Sequence, residues 1–123
     1  MAQPVVHFEI IGADPERLRG YYGELFGWAF DTGGPIAAPV SEPGRYGFTQ
    51  PDSGIPGGVG GGAGHAPHTV FYVGVPDVAA ALARAESLGG KRVMGPERAP
   101  GRDLVVAHFT DPEGNLMGLA GPA

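Results

Sequence analysis

The chain has 123 residues, no cysteine and a formal charge of −5. That length suits one domain with a core of its own, and the missing thiols exclude disulfides, thiolate zinc sites and cysteine nucleophiles. The acidic balance argues against a duplex nucleic-acid partner, whose phosphates require a basic face, and it suits a cationic ligand.

No apolar run approaches the ~20 residues that cross a bilayer. Met1–Pro4 has neither the basic nor the apolar region of a secretory signal, and a cytoplasmic protein without a membrane partner is expected. The 23 glycines and 13 prolines concentrate in residues 33–43 and 54–67, where loops, tight turns and mobility are expected.

In chain order, Val5–Ile11 is rich in β-branched residues and reads as a strand with His7, Glu9 and Ile11 on one face. Asp14 offers an N-cap and Pro15 suits the first helical position. Leu18, Tyr21, Tyr22, Leu25 and Phe26 then form a helical apolar stripe, and Gly27 stands where a left-handed C-cap is expected. Trp28–Phe30, Arg45–Gln50 and the glycine-thinned 57–62 follow as strand candidates.

The same order then recurs. His68–Val73 reads as a strand with His68, Val70 and Tyr72 on one face. Asp77 caps a helix with the stripe Val78, Ala81, Leu82, Ala85 and Leu88, ended by Gly89. Lys91–Met94, Asp103–Thr110 and Leu116–Ala120 read as strands. His7 and His68 are 61 residues apart, Asp14 and Asp77 63, Gly27 and Gly89 62, and the turns at 51–54 and 111–114 are offset by 60. So constant an offset marks an internal duplication.

The predicted fold is therefore α+β, a single domain over 1–123 of two tandem βαβββ modules. The first covers about 4–62, a loop 63–67, and the second about 68–121. Each module alone has too small a core. Paired, they leave a curved mixed sheet around a concavity suited to a small-molecule ligand.

Val-Val-His-Phe-Glu-Ile at 5–10, Asp-Pro-Glu-Arg at 14–17 and Tyr-Tyr-Gly-Glu-Leu-Phe-Gly-Trp at 21–28 resemble the vicinal oxygen chelate superfamily. That superfamily includes glyoxalase I, extradiol dioxygenases, and fosfomycin- and bleomycin-resistance proteins. The resemblance continues through His68, Val75-Pro76-Asp77-Val78 and Asp111-Pro112-Glu113-Gly114-Asn115, and it spans nearly the whole chain. In metal-dependent members it implies a divalent ion held by histidine on the first strand, glutamate or histidine on the fourth, histidine on the fifth and glutamate on the eighth. His7 and His68 match the first and third positions. The fourth-strand position falls in Gly57–Gly60, and the eighth-strand acid is replaced by Gly118. Two imidazoles fall short of the three or four protein ligands of a Lewis-acid site, so a divalent metal here needs ligands the pattern does not supply.

The expected ligand-binding residues are His7, Glu9, Phe48, His68, Tyr72 and His108. Glu9 is expensive to bury without a partner and can hydrogen-bond His7 or a ligand amine, which makes His7 and Glu9 the catalytic candidates. Tyr72 and Phe48 can stack on a planar ligand, whereas Tyr21, Tyr22, Phe26 and Trp28 read as packing and His65 as solvated. The glycine run lacks the Lys-Ser/Thr ending of a phosphate loop. The leading reading is a homodimeric small-molecule binder of the glyoxalase/bleomycin-resistance type without a complete metal site. The alternative is a lyase, isomerase or dioxygenase with an atypical metal site, or a metal-free acid–base catalyst.

Overall fold

The computed structural model describes residues 2–123. Its elements are β1 (Val5–Gly12), α1 (Pro15–Phe26), β2 (Gly47–Thr49), β3 (Gly57–Gly61), β4 (His68–Gly74), α2 (Val78–Ser87), β5 (Lys91–Arg98), β6 (Val105–Thr110) and β7 (Leu116–Gly121). This is the α+β order expected from the duplication, with one difference. Trp28–Phe30 forms no strand, and the chain instead makes a single bridge in which Asp31 and Phe48 exchange backbone hydrogen bonds of 2.9 and 2.8 Å. The reason is local. Asp31 Oδ1 accepts from Gly33 N–H at 2.9 Å, which bends the chain, and Pro35 further on has no N–H to extend a ladder.

The chain divides into two compact units, one of His7–Thr69 and one joining the residues up to Val6 with Val70–Ala123. In the first unit the strand order is β2–β3–β1, with β1 parallel and β2 antiparallel to β3. Helix α1 starts as predicted: Asp14 Oδ1 accepts from Arg17 N–H at 3.2 Å and Pro15 holds the first position. It ends at Gly27, whose φ of 71° is the left-handed cap.

The helix buries little of its stripe. Tyr21, Leu25 and Phe26 are 60, 56 and 56% exposed, and the aromatic side chains pack on one another at the surface rather than in the core. Tyr22 and Trp28 lie 5.8 Å apart, and Trp28 and Phe8 5.0 Å. The buried side chains come instead from Ile11, Val59, Tyr46 and the loop before β2, whose Ala37, Val40 and Ser41 are 2, 3 and 0% exposed. Ser41 Oγ accepts from Gly61 N–H at 2.9 Å, so this glycine- and proline-rich segment is packed and bonded where mobility was expected.

An ion-pair group ties α1 to that loop. Arg45 donates from Nε to Glu16 at 3.0 Å and from Nη1 to Glu42 at 2.7 Å. The hydrogen bonds from Arg45 hold the Glu16 carboxyl at about 2, below its ordinary 4.5. A carboxyl whose pKa is depressed by folding stabilises fully above its ordinary value and loses that contribution as pH falls through the folded one. Glu16→Gln is therefore expected to lower the melting temperature slightly at neutral pH, since exposed pairs are screened. Melts from neutral pH to pH 2 should show the deficit vanish toward the acid end.

In the second unit, β7 lies parallel to β4 and antiparallel to β6, and β5 lies antiparallel to β6 on its outer side. Asp77 Oδ1 accepts from Ala80 N–H at 3.0 Å to start α2, and Gly89, at a φ of 104°, follows its last turn. Val78 and Leu82 of α2 pack against Val75, Ala107 and Leu119, the core of this unit, with Val73, Ala81, Val105 and Phe109 around it. Leu88 stays outside at 63% exposure.

The duplication survives in the pairing rule: in each copy the closing strand runs parallel to the opening one. Register refines the correspondence. Glu9–Gly58–Phe48 is one row across β1, β3 and β2, and Tyr72–Gly118–His108 is the matching row across β4, β7 and β6. Glu9 thus corresponds to Tyr72 and Phe48 to His108. By the same register Val70, and not His68, stands where His7 does.

Candidate functional site

The first unit brings together His7, Glu9 and Phe48 around a residue that sequence reasoning missed. Tyr46, 1% exposed, donates its hydroxyl to Glu9 Oε1 at 3.0 Å, and the Tyr46 hydroxyl oxygen lies 2.8 Å from His7 Nε2. Strand alternation places Tyr46 on the face of Phe48, two residues on, but carries no sign of its contact with Glu9. The Tyr46 and Phe48 rings lie 4.8 Å apart and the His7 and Phe48 rings 6.3 Å. Glu9 is 2% exposed, and burying a carboxylate is tolerable only with donors aimed at it. His7 and Phe48 are half-buried. The array therefore runs from a buried acid through a buried hydroxyl to an imidazole nearer the surface.

In the second unit Tyr72 and His108 meet, hydroxyl to Nε2 at 2.7 Å, both buried at 2 and 6% exposure. Position 68 is held differently, with His68 Nδ1 2.9 Å from the Ala66 carbonyl oxygen. His65 is half-buried in its turn, its N–H bonded to Gly62 O at 3.1 Å.

The glycines at the two expected acidic positions have a shared physical cause. In each copy a tyrosine ring crosses the middle strand to reach a polar partner on the far one, and glycine under the ring leaves it room. A Cβ at Gly118 would come 2.6 Å from the Tyr72 ring. One at Gly60 would meet the Tyr46 ring at 2.6 Å, and one at Gly58 would meet it at 2.0 Å. The donor set accordingly does not fit the metal centre that the resemblance implies: the acids are replaced, Nε2 of His7 faces a hydroxyl, and among the described residues no three His, Asp or Glu side chains are grouped to hold an ion.

A concavity of about 700 Å³ lies in the second unit and is lined by Pro4, Val6, Val75, Pro76, Leu104 and Ala120 among others. No titratable side chain lines it, and Gln3 brings the one polar side chain among its lining residues. Among the described residues no helix is long and apolar enough to cross a membrane.

Solved structures agree on the fold. Methylmalonyl-CoA epimerase from Mycobacterium tuberculosis is similar at a TM-score of 0.63 and 18% identity, over 97% of this chain and 87% of its own. A hypothetical protein from Bacillus halodurans is similar at 0.67 and 11%, over 100% and 96%. A variant of the Streptomyces coelicolor methylmalonyl-CoA epimerase in complex with 2-nitronate-propionyl-CoA is similar at 0.61 and 15%, over 100% and 96%. At these identities the likeness concerns the fold alone. No curated protein matches. The sequence pattern of a whole family does match, over residues 5–119 and so across both copies, β1 to β7. The match takes in both runs of the repeated strand–helix–strands order, and the chain belongs to the Glyoxalase/Bleomycin resistance protein/Dioxygenase superfamily.

Proposed function

We propose that this protein binds a small molecule at the His7–Phe48 face of its first unit, without relying on the metal site of its metal-dependent relatives. The observation that carries the reading is the Glu9–Tyr46–His7 array beside Phe48. A buried acid costs stability, and here it is spent on orienting a half-buried imidazole next to an aromatic ring. Polar groups fixed against an apolar surface are what small-molecule sites use for orientation. The formal charge of −5 supports a cationic or neutral ligand over an anionic one. The reading takes the protein as a cytoplasmic homodimer, and the exposed Tyr21, Leu25 and Phe26 of α1 supply an apolar face for self-association.

A ligand-library melt tests this, because a molecule that binds only the native state raises stability by mass action. One chemical class is expected to raise the melting temperature, with the shift lost in His7→Ala. Ni²⁺, Zn²⁺, Mn²⁺ and Fe²⁺ run in parallel, and tight stoichiometric uptake abolished by both His7→Ala and His68→Ala would sink the proposal. A second reading, acid–base catalysis through His7 and Glu9, is supported by the hydrogen-bonded path between them. Uptake of solvent deuterium into a bound ligand would favour it over simple binding.

A further inference from the structure

The backbone on both sides of Tyr46 is held by one side chain, Arg19 of α1. Its Nη1 donates to the Arg45 carbonyl oxygen at 2.6 Å, on the peptide that joins Arg45 to Tyr46. Its aliphatic stem lies over Gly47, where an added Cβ would come 2.5 Å from Arg19 Cδ. Neighbouring residues of an extended chain point to opposite faces. Gly47 therefore turns its bare Cα towards α1, and Tyr46 sends its ring the other way, to Glu9 and His7. The Arg19 side chain is only 14% exposed, and burying a guanidinium is costly unless its N–H groups are used. Here one of them is used on the main chain beside Tyr46.

We infer that Arg19 is a positioning residue for the candidate site. From the α1 side of β2 it sets where Tyr46 stands, and through Tyr46 where the His7 imidazole is held. The inference rests on the proposed binding role, which it deepens by extending the site's support to the helix. Groups that bind a ligand must be kept within about 0.5 Å of their working place. A slide of that size at residues 45–47 would weaken both bonds of the Tyr46 hydroxyl, which stand at 3.0 and 2.8 Å. The ion pairs of Arg45 have another part. Glu16 and Glu42 hold the Arg45 side chain, which ties the loop to the helix, whereas Arg19 holds the Arg45 carbonyl. The two roles are separable by substitution.

The experiment is an aromatic ¹H–¹³C correlation spectrum of the labelled, ligand-free protein. The Tyr46, Tyr72 and His7 rings are assigned by their loss in Tyr46→Phe, Tyr72→Phe and His7→Gln. In Arg19→Met the Tyr46 and His7 cross-peaks are expected to move, while that of Tyr72, in the second unit, stays. Glu16→Gln loosens the Arg45 side chain and leaves the carbonyl bond, so it is expected to keep all three peaks in place. Arg19→Lys, which keeps the charge but not the planar fork, is expected to return the Tyr46 and His7 peaks part of the way. Unmoved Tyr46 and His7 peaks in Arg19→Met overturn the inference. So does an equal displacement in Glu16→Gln, which would assign the effect to the ion pairs, or an equal displacement of Tyr72, which would mean general loosening. Should Arg19→Met not fold, Arg19→Gln takes its place, since its shorter amide falls short of the carbonyl, and the same outcomes decide. A ligand-library melt in which no molecule stabilises the wild type would overturn the binding role and leave these displacements as they are, so the two failures are distinguishable.

Discussion

Gly118→Glu, which writes back the acid missing from β7, is expected to destabilise the protein rather than create a metal ligand. Its Cβ would lie 2.6 Å from the Tyr72 ring, well inside contact distance, and Tyr72 is 2% exposed with its hydroxyl bonded to His108 at 2.7 Å. The ring cannot swing away without breaking that bond. Overpacking a well-filled site costs about 1–3 kcal/mol, and a buried carboxylate without donors adds to it. Gly118→Ala isolates the steric part and is expected to lower the melting temperature by roughly 4 °C per kcal/mol for a domain of this size. Tyr72→Ala alone leaves a cavity, at about 3–5 kcal/mol. Combined with Gly118→Ala it should cost less than the sum of the two, because the added methyl then fills part of the gap. Thermal melts of the four proteins decide the matter. A neutral Gly118→Ala would show that the ring does not lean on the strand.

Tyr46→Phe is expected to be the second large loss, although it removes a single oxygen. The ring still covers Gly58 and Gly60, so packing is retained, and what disappears is the donor to Glu9 and the hydroxyl partner of His7. Withdrawing a hydrogen-bond partner from a buried charged group costs about 1–3 kcal/mol. Glu9→Gln in the same background should recover part of it, because a neutral amide is cheaper to bury than a carboxylate. The double-mutant cycle is therefore expected to show a coupling clearly above the ~0.5 kcal/mol scatter of independent sites. Strictly additive losses would mean that the hydroxyl and the acid do not act together.

Much of this fold was legible because local chemistry and tertiary structure agree. Asp14, Pro15 and Gly27 mark α1 at both ends, Asp77 starts α2, and period-two alternation puts Glu9 and Ile11 inward on β1. Long-range contacts decide the rest, both where the expected strand forms against propensity and where it does not. Residues 57–61 are four glycines and one valine, weak as a strand by propensity, yet every one is buried. Their value lies in the side chains of Phe8 and Tyr46 that lie over them, which spacing along the chain does not reveal. Trp28–Phe30 has strand propensity, but its aromatic rings join Phe8, Tyr22 and Phe26 at the surface.

The candidate site divides in the same way. His7, Glu9 and Phe48 share a face by alternation and could be proposed from the sequence. The part of Tyr46 could not, because it depends on a hydroxyl reaching from position 46 across β3 to position 9. The correspondence of His7 with His68 followed from an offset of 61, whereas the strand register requires 63, since Glu9 and Tyr72 hold matching places opposite Gly58 and Gly118. A count along the chain cannot resolve a two-residue drift when both choices keep the side chain on the same face.

The surface cluster around Trp28 gives the protein an optical property of its own. The chain has one tryptophan, and it stands 5.0 Å from the Phe8 ring, itself 6.4 Å from that of His7. Its indole belongs to the first unit alone. Emission from Trp28 therefore follows the folding of that unit and events beside His7, while circular dichroism sums over both units. The two signals together can separate stepwise from concerted unfolding in the unlabelled protein.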